Sequence, residues 1–123
     1  MQNDSSKFKN DFEKRLIKFS IRIIRLCSEL RSERNNWAIA DQLIRSATSV
    51  GANVIEAKAS SSKKEYIKYF EISLKSANET KYWLILVREC SANNKEKAIE
   101  YLCEACEIAK IISSGVLTMK GKR

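Results

Sequence analysis

Six large apolar residues recur in the first third of the chain with the spacing of one face of an α-helix. The steps between them alternate between four and three residues, which is the repeat of a heptad-like helix seam. An unbroken pattern of this length predicts an amphipathic helix whose apolar face is buried against other helices. The six residues are Phe12, Leu16, Phe19, Ile23, Leu26 and Leu30.

The composition leaves little room for another fold class. There is no proline, and only three of the 123 residues are glycine, whereas β-rich architectures with many turns use far more of both. A chain of this length forms one domain and buries most of its apolar surface without metals or disulfides. We therefore predict a single all-α domain over residues 1–123.

Short polar segments divide the chain into four predicted helices, which cover about residues 9–31, 37–59, 63–90 and 95–117. Loops this short join antiparallel neighbours, so we predict an up-down-up-down antiparallel four-helix bundle. Ser62 is the expected N-cap of the third helix, with Glu65 at the capping-box position. Residues 1–8 and the basic C-terminal tail from Thr118 are expected to be flexible. The inward stripe predicted for the third helix consists of Tyr66, Phe70, Ser73, Ala77, Leu84 and Val87.

The second helix carries polar residues that are as periodic as its apolar residues. Between residues 42 and 57 only Arg45 and Glu56 are charged, whereas a helix face in water normally carries many charges. We therefore expect protein to surround this helix on most sides, with its polar side chains turned inward. The polar stripe, with Arg45 one step from it, consists of Gln42, Ser46, Ser49, Asn53 and Glu56.

Buried polar groups need hydrogen bonds, and buried charges need partners. The heights of the residues in the predicted bundle favour two ion pairs, Arg45–Glu79 and Arg15–Glu56. We interpret the stripe as part of a structural polar network that holds helices or subunits in register. A ligand-binding site is the alternative interpretation.

A row of four cations lies on the first helix, outside its core seam. The chain carries 23 basic and 15 acidic residues, a formal net charge of +8, which favours polyanions as partners. Cations along one helix face can follow the phosphates of RNA or DNA without reading bases, and an ordinary solvated face is the alternative. This basic arc consists of Lys14, Lys18, Arg22 and Arg25.

Ile17, Ile21 and Ile24 form a second apolar patch on the first helix. A four-helix bundle buries one seam per helix, so this patch and the sparsely charged second helix predict self-association. Binding to a membrane surface is the competing interpretation, but the segment lacks the Trp- and Phe-rich face of interfacial helices. We therefore expect a homo-oligomer and no membrane contact.

The sequence contains no recognisable catalytic set. There is no histidine, the commonest general base, and there is no glycine-rich phosphate loop. We therefore expect a protein that is not an enzyme and needs no cofactor. The polar N-terminus has no signal-peptide core, and no apolar run reaches the length of a membrane span, so we expect a cytoplasmic location.

The four cysteines, Cys27, Cys90, Cys103 and Cys106, allow two interpretations. In an up-down bundle Cys27 and Cys90 lie toward the same end, so a four-thiolate zinc site is one hypothesis. Cysteine is also a common buried residue in helical cores, and the paired CxxC motifs of a zinc ribbon are absent. We therefore expect reduced thiols and no metal.

Three segments together resemble the bacterial four-helix-bundle proteins encoded within intervening sequences of 23S ribosomal RNA genes. They are Gln-Leu-x-Arg-Ser-x-x-Ser-x-x-x-Asn-x-x-Glu-Ala at 42–57, Glu-Thr-x-Tyr-Trp-Leu at 79–84 and Phe-x-x-Arg-Leu at 12–16. The resemblance covers roughly residues 8–118. The recurring positions of the family correspond here to Arg15, Gln42, Arg45, Ser46, Ser49, Asn53, Glu56, Glu79 and Trp83.

The resemblance implies a four-helix protomer that assembles into a homopentameric ring. It also implies similarity to the accessory protein of diversity-generating retroelements, a pentamer of basic bundles that binds nucleic acid and a reverse transcriptase. From the residues and the resemblance together we predict a basic homo-oligomer that binds RNA or DNA through backbone phosphates. One alternative is a protein-interaction adaptor for a nucleic-acid enzyme, without direct nucleic-acid contact. Another is a bundle that binds a small molecule or a metal.

Overall fold

The computed structural model describes the backbone of residues 4–121 and the side chains of residues 7–121. Four long α-helices account for nearly all of this part of the chain, which contains no β-strand. The predicted all-α class is therefore confirmed. Short 3-10 turns, Arg34–Asn36 and Ala92–Asn94, lead into the second and fourth helices. The helices are α1 (Asp4–Leu30), α2 (Trp37–Lys58), α3 (Lys63–Cys90) and α4 (Lys95–Met119).

The two outer helices are longer than the sequence predicts. Residues 4–8, expected to be flexible, belong to α1, and α4 continues to Met119 through the first residues of the expected tail. Neither segment contains a proline that would interrupt a helix. Gly121, two residues after α4, has a φ of +69°, the left-handed conformation that commonly follows a helix end. The expectations for residues 1–3 and 122–123 lie outside the described residues.

Side-chain contacts show how the helices run relative to one another. Lys58 at the end of α2 binds Glu13 near the start of α1, and Ser73 of α3 donates to the carbonyl oxygen of Val50 in α2. α3 packs along α4, and α4 contacts α1 to close the ring of helices. Consecutive helices are thus antiparallel neighbours, and the predicted four-helix bundle is confirmed.

The apolar stripes that were predicted from the helical spacing fill most of the centre of the bundle. The seam of α1 is buried along its whole length, from Phe12 to Leu30. On α3 the buried residues also include Thr80, which was not part of the predicted inward stripe. Tyr66 and Phe70, predicted to lie in the core, are only half-buried because they border an open cavity at one end of the bundle.

The start of α3 follows the predicted capping chemistry in part. The Ser62 hydroxyl accepts a hydrogen bond from the backbone N–H of Glu65 at 3.1 Å, which satisfies one of the free donors at the helix N-terminus. The Glu65 carboxylate does not complete a capping box, because it accepts instead from the Ser61 hydroxyl at 3.4 Å. Ser62 is therefore the N-cap, and it fixes the turn between α2 and α3.

Candidate nucleic-acid interface

The basic arc lies on the outer face of α1. Lys14, Lys18 and Arg25 are exposed and Arg22 is half-buried, and the four side chains line a shallow surface groove with Ile17. None of the four cations forms an ion pair with a side chain that the structure describes. From the first to the last of them the helix rises about 17 Å, the length of about five phosphates along one strand of duplex DNA. A polyanion can therefore contact all four charges directly.

Arg15 lies beside the basic arc and faces α4. Its Nε and Nη2 atoms donate to the two carboxylate oxygens of Glu104 at 2.7 and 2.6 Å. These hydrogen bonds lower the pKa of Glu104, and the nearby charges of Arg22 and Lys18 lower it further. Glu104 therefore stays ionised and offsets part of the positive charge of the arc where α1 meets α4.

The predicted ion pair Arg15–Glu56 is wrong, because the rotation of α1 about its axis turns Arg15 toward α4. Glu13 binds Lys58 of α2 at 2.8 Å, which shows that this side of α1 faces α2. Arg15 follows two residues later, roughly 200° around the helix, and so it faces α4. Glu56 is exposed.

The predicted pair Arg45–Glu79 is not formed within the protomer. Both side chains are exposed, and the Glu79 carboxylate accepts a long hydrogen bond from the indole nitrogen of the half-buried Trp83 at 3.4 Å. Arg45 lies on the opposite side of α2 from the buried Leu43, since two residues turn a helix by roughly 200°. Gln42 is exposed as well. The outer edge of the polar stripe therefore faces away from the core of the protomer.

The inner edge of the polar stripe faces α3 and forms hydrogen bonds between the helices. The buried hydroxyl of Ser46 accepts from Thr80 at 3.0 Å, and the hydroxyls of Ser49 and Ser76 share a hydrogen bond of 2.8 Å. The Asn53 amide donates to the carbonyl and hydroxyl oxygens of Ser49 at 2.8 and 2.9 Å. Every buried side-chain nitrogen and oxygen atom within residues 7–121 has a hydrogen-bond partner. The Ser46–Thr80 and Ser49–Ser76 hydrogen bonds therefore join α2 to α3.

The second apolar patch of α1 is exposed and continues onto α2. Ile17 is 56% exposed, and Ile21 and Ile24 are both 42% exposed. Across a narrow groove, α2 presents Ala52 and the exposed Ile55. We call these five residues the α1–α2 apolar face. Among the helices that the structure describes, none has the length and apolar content to cross a membrane.

The structure does not bring the cysteines together as a metal site. Cys27 is buried and its Sγ atom donates to the carbonyl oxygen of Ala40 at 3.4 Å, and burial raises its pKa to about 11. Cys90 and Cys103 are exposed, and Cys106 is half-buried. Within the described part of the chain, no group of three or more His, Cys, Asp or Glu side chains is placed to hold a metal ion.

Glu104, which lies beside the basic arc and pairs with Arg15, was not predicted from the sequence. Its partner depends on how α1 and α4 are aligned, and these two helices are the most distant in sequence. Glu104 is one of four acidic residues along α4, so the sequence alone could not select it without the alignment of the two helices. That alignment could not be chosen before the bundle was closed.

Two comparisons with known proteins agree with this architecture. The model of the 23S rRNA-intervening sequence protein family matches residues 9–114. Among solved structures, the chain is similar to a Bacteroides thetaiotaomicron protein of unknown function from the S23 ribosomal protein family, with 32% sequence identity and a TM-score of 0.80. The alignment covers 85% of this chain and 97% of that protein. A comparison with curated proteins gives no match.

Proposed function

Because the chain belongs to the 23S rRNA-intervening sequence protein family, we propose that it is a non-enzymatic basic homo-oligomer that binds RNA or DNA through backbone phosphates. The basic arc carries this proposal. Its four cations lie in one row on the outer face of α1, and they have no ion-pair partners among the described side chains. Contacts with phosphates fix the position of a protein on nucleic acid but carry no base information, so we expect little sequence preference.

The assembly that we propose uses two different faces of each protomer. A closed ring requires a head-to-tail contact between unlike surfaces. One surface is the α1–α2 apolar face. The other lies across α2 and α3, where Arg45, Glu79 and Ile72 are exposed and Trp83 is half-buried. Contact with a neighbouring protomer would remove this apolar surface from water and offer partners to both charges.

Assembly would strengthen a weak phosphate-binding surface. Each protomer offers only four arc cations, and Glu104 offsets part of their charge. Repeating the arc around a ring multiplies the contacts that one nucleic acid can make, and it concentrates the positive field of a protomer with a net charge of +8. The ring of five implied by the family resemblance would present five such arcs.

The test compares two double variants that remove the same charge from different helices. Lys18→Gln with Arg22→Gln alters the arc, whereas Lys75→Gln with Lys81→Gln alters α3, where neither lysine is ion-paired with a described side chain. We expect the arc variant to bind a fluorescent RNA about tenfold more weakly than the wild type at fixed salt, and the α3 variant to change much less. Equal losses of RNA affinity in the two variants would contradict RNA binding by the arc.

The adaptor function is the second candidate, and the exposed α1–α2 apolar face favours it. A surface of this type can bind a protein partner as well as another protomer. An adaptor would show no salt-sensitive affinity for RNA or DNA. Its interaction with a nucleic-acid enzyme would also persist in the Lys18→Gln, Arg22→Gln variant.

A further inference from the structure

An open cavity of about 1030 Å³ lies at the end of the bundle where α1 begins and α4 ends. All four helices and the turn between α2 and α3 contribute to its wall. Two stacked aromatic pairs line it, Phe8–Phe12 on α1 with ring centroids 6.4 Å apart and Tyr66–Phe70 on α3 at 5.0 Å. The volume is in the range of cavities that hold small organic ligands.

Gly115 lines the cavity, and part of the aromatic lining is exposed to water. A Cβ atom added to Gly115 of α4 would lie 3.8 Å from the ring of Phe70, so a longer side chain at this position would project toward the cavity. Phe8 is 60% exposed, and Tyr66 and Phe70 are half-buried. An apolar ligand would remove this aromatic surface from water, which is favourable in proportion to the area covered.

The described residues that line the cavity carry a net positive charge. Four lysines and one carboxylate, Glu13, belong to the lining. Glu13 is ion-paired with one of these lysines, Lys58, at 2.8 Å. Lys9, Lys63 and Lys110 form no ion pair with a side chain that the structure describes. The lining therefore favours an anionic group on the ligand.

The hydroxyl groups around the cavity are mostly engaged within the protein. The Ser60 and Thr118 hydroxyls donate to carbonyl oxygens of their own segments. Ser61 and Ser62 are both hydrogen-bonded to Glu65. A nucleobase needs free hydrogen-bonding groups for its edges, whereas an alkyl chain needs none. The cavity is therefore better suited to an alkyl chain than to a base.

We propose that this cavity binds a long-chain carboxylate. The alkyl chain lies between the Phe8–Phe12 and Tyr66–Phe70 pairs, and the carboxylate contacts the lysines at the rim, Lys9, Lys63 and Lys110. This site is separate from the basic arc, so its existence does not depend on nucleic-acid binding.

The test uses dodecanoate below its micelle concentration and the methyl group of Met119, which lines the cavity. The chain contains two methionines, so selective carbon-13 labelling gives a simple spectrum, and a Met119→Leu variant assigns it. We expect the Met119 methyl signal to shift and to saturate at one dodecanoate per protomer. Calorimetry of the same titration gives the affinity.

Three matched comparisons define the site. Gly115→Leu should fill the cavity and weaken binding at least about tenfold while keeping the fold, because leucine favours a helix more than glycine does. The triple change of Lys9, Lys63 and Lys110 to Gln should also weaken binding about tenfold. The same change at Lys75, Lys81 and Lys95, which lie outside the cavity, should have little effect.

Several results would overturn the proposal. A Met119 signal that does not shift when dodecanoate is added would contradict it. Dodecylammonium that binds as tightly as dodecanoate would contradict it as well. Unchanged binding in a folded Gly115→Leu variant would place the fatty acid elsewhere. Displacement of dodecanoate by a single-stranded oligonucleotide, with a shift of the Met119 signal, would assign the cavity to nucleic acid instead.

Discussion

Arg15 and Arg45 are both among the positions that the family resemblance singles out, but the protomer uses them differently. Arg15 joins α1 to α4 through its two hydrogen bonds with Glu104, whereas Arg45 is exposed on the back of α2. Arg45 forms no ion pair with a side chain that the structure describes. We therefore expect the stability of the isolated protomer to depend on Arg15 and not on Arg45.

Replacing Glu104 by Gln removes one charge of the α1–α4 pair and keeps its size. The side chains of Arg15 and Glu104 are 37% and 24% exposed, so solvent screens the pair, and we expect the free energy of unfolding to fall by no more than about 1 kcal/mol near neutral pH. The folded protein lowers the pKa of Glu104. Its contribution is therefore present where the unfolded carboxyl is ionised, and it is lost as the pH falls through the lowered pKa. Urea denaturation across this pH range measures the difference.

The matched control is Glu29→Gln, which removes a second ion pair between described side chains of α1 and α4, Glu29–Lys97. Glu29 and Lys97 are both 49% exposed, so we expect no measurable loss. A difference between wild type and Glu104→Gln that does not shrink in acid would contradict the assigned role of Glu104. An equal loss in Glu29→Gln would contradict it as well.

These arginines show what the sequence can predict at the residue scale. Periodicity correctly groups the side chains that share a stripe, since a helix turns by a fixed angle per residue. It does not fix the rotation of each helix about its axis, which results from the packing of all four helices. The partner of Arg15 and the exposure of Arg45 both depend on that rotation, and for this reason both predicted pairs failed.

At the scale of the helices, the contact between α2 and α3 is made through hydroxyl groups. Thr80 is fully buried and donates to the Ser46 hydroxyl and to the carbonyl oxygen of Ser76. Ser73, also fully buried, donates to the backbone of α2 at 2.7 Å. A shift of one helix along the other would break the Ser46–Thr80 hydrogen bond and remove the α2 partner of the Ser73 hydroxyl. A buried hydroxyl left without a partner costs about 1–3 kcal/mol. The contact therefore favours a single register.

A double-mutant cycle on Ser46 and Thr80 tests this coupling. Thr80→Val keeps the shape of the side chain, and Ser46→Ala removes its hydroxyl partner. We expect each change to lower the free energy of unfolding by about 1 kcal/mol, and the double variant to lose less than the sum because the two residues share one hydrogen bond. Urea denaturation of the four proteins measures the cycle.

Thr48→Val is the control for this cycle. Thr48 lies on α2 and donates to the carbonyl oxygen of Ile44 within its own helix at 2.7 Å, so it has no partner on α3. Its loss should add to that of Thr80→Val without coupling. Strict additivity for Ser46 and Thr80 would contradict the role of their hydrogen bond.

The sequence identified only part of this contact. Ser46, Ser49 and Asn53 were predicted to turn inward, and they do, because polar residues at core spacing with few charges nearby are typical of a helix that faces protein. Thr80 was left out of the α3 core, although it lies at helical spacing between Ala77 and Leu84. The sequence does not show which partner would satisfy a hydroxyl group at this position. The position of Ser46 across the contact explains why Thr80 is buried.

At the scale of the molecule, the proposed oligomer can be tested separately from nucleic-acid binding. We expect the wild type to sediment with the mass of about five protomers of 14.1 kDa. Ile21→Asp should convert it to a folded monomer, because Ile21 is 42% exposed in the protomer and a charge there opposes burial between protomers. Analytical ultracentrifugation measures the mass, and circular dichroism checks the fold.

Leu117→Asp is the matched control, since Leu117 is also 42% exposed but lies on α4, outside the α1–α2 apolar face. It should keep the oligomer. A wild type that sediments as a monomer would contradict the proposed assembly. Loss of the oligomer in Leu117→Asp but not in Ile21→Asp would move the interface to α4.

The end cavity is the part of the molecule that the sequence did not indicate. Tyr66 and Phe70 have core spacing and were predicted to be buried with the rest of their stripe. Whether a stripe is covered at its last turns depends on how closely the helix ends approach one another. Gly115, whose missing side chain leaves space beside Phe70, contributes to that opening in a way that periodicity does not reveal.

The salt dependence of nucleic-acid binding shows whether the basic arc contacts phosphates. The wild type is compared with a variant in which Lys14, Lys18, Arg22 and Arg25 are all changed to Gln, and the affinity for one duplex DNA is measured over a range of salt concentrations. Each lost phosphate contact should reduce the slope of log affinity against log salt by about 0.9. If the arc contacts phosphates, the variant should show a weaker affinity and a distinctly shallower slope. An unchanged slope and affinity would contradict phosphate binding by the arc.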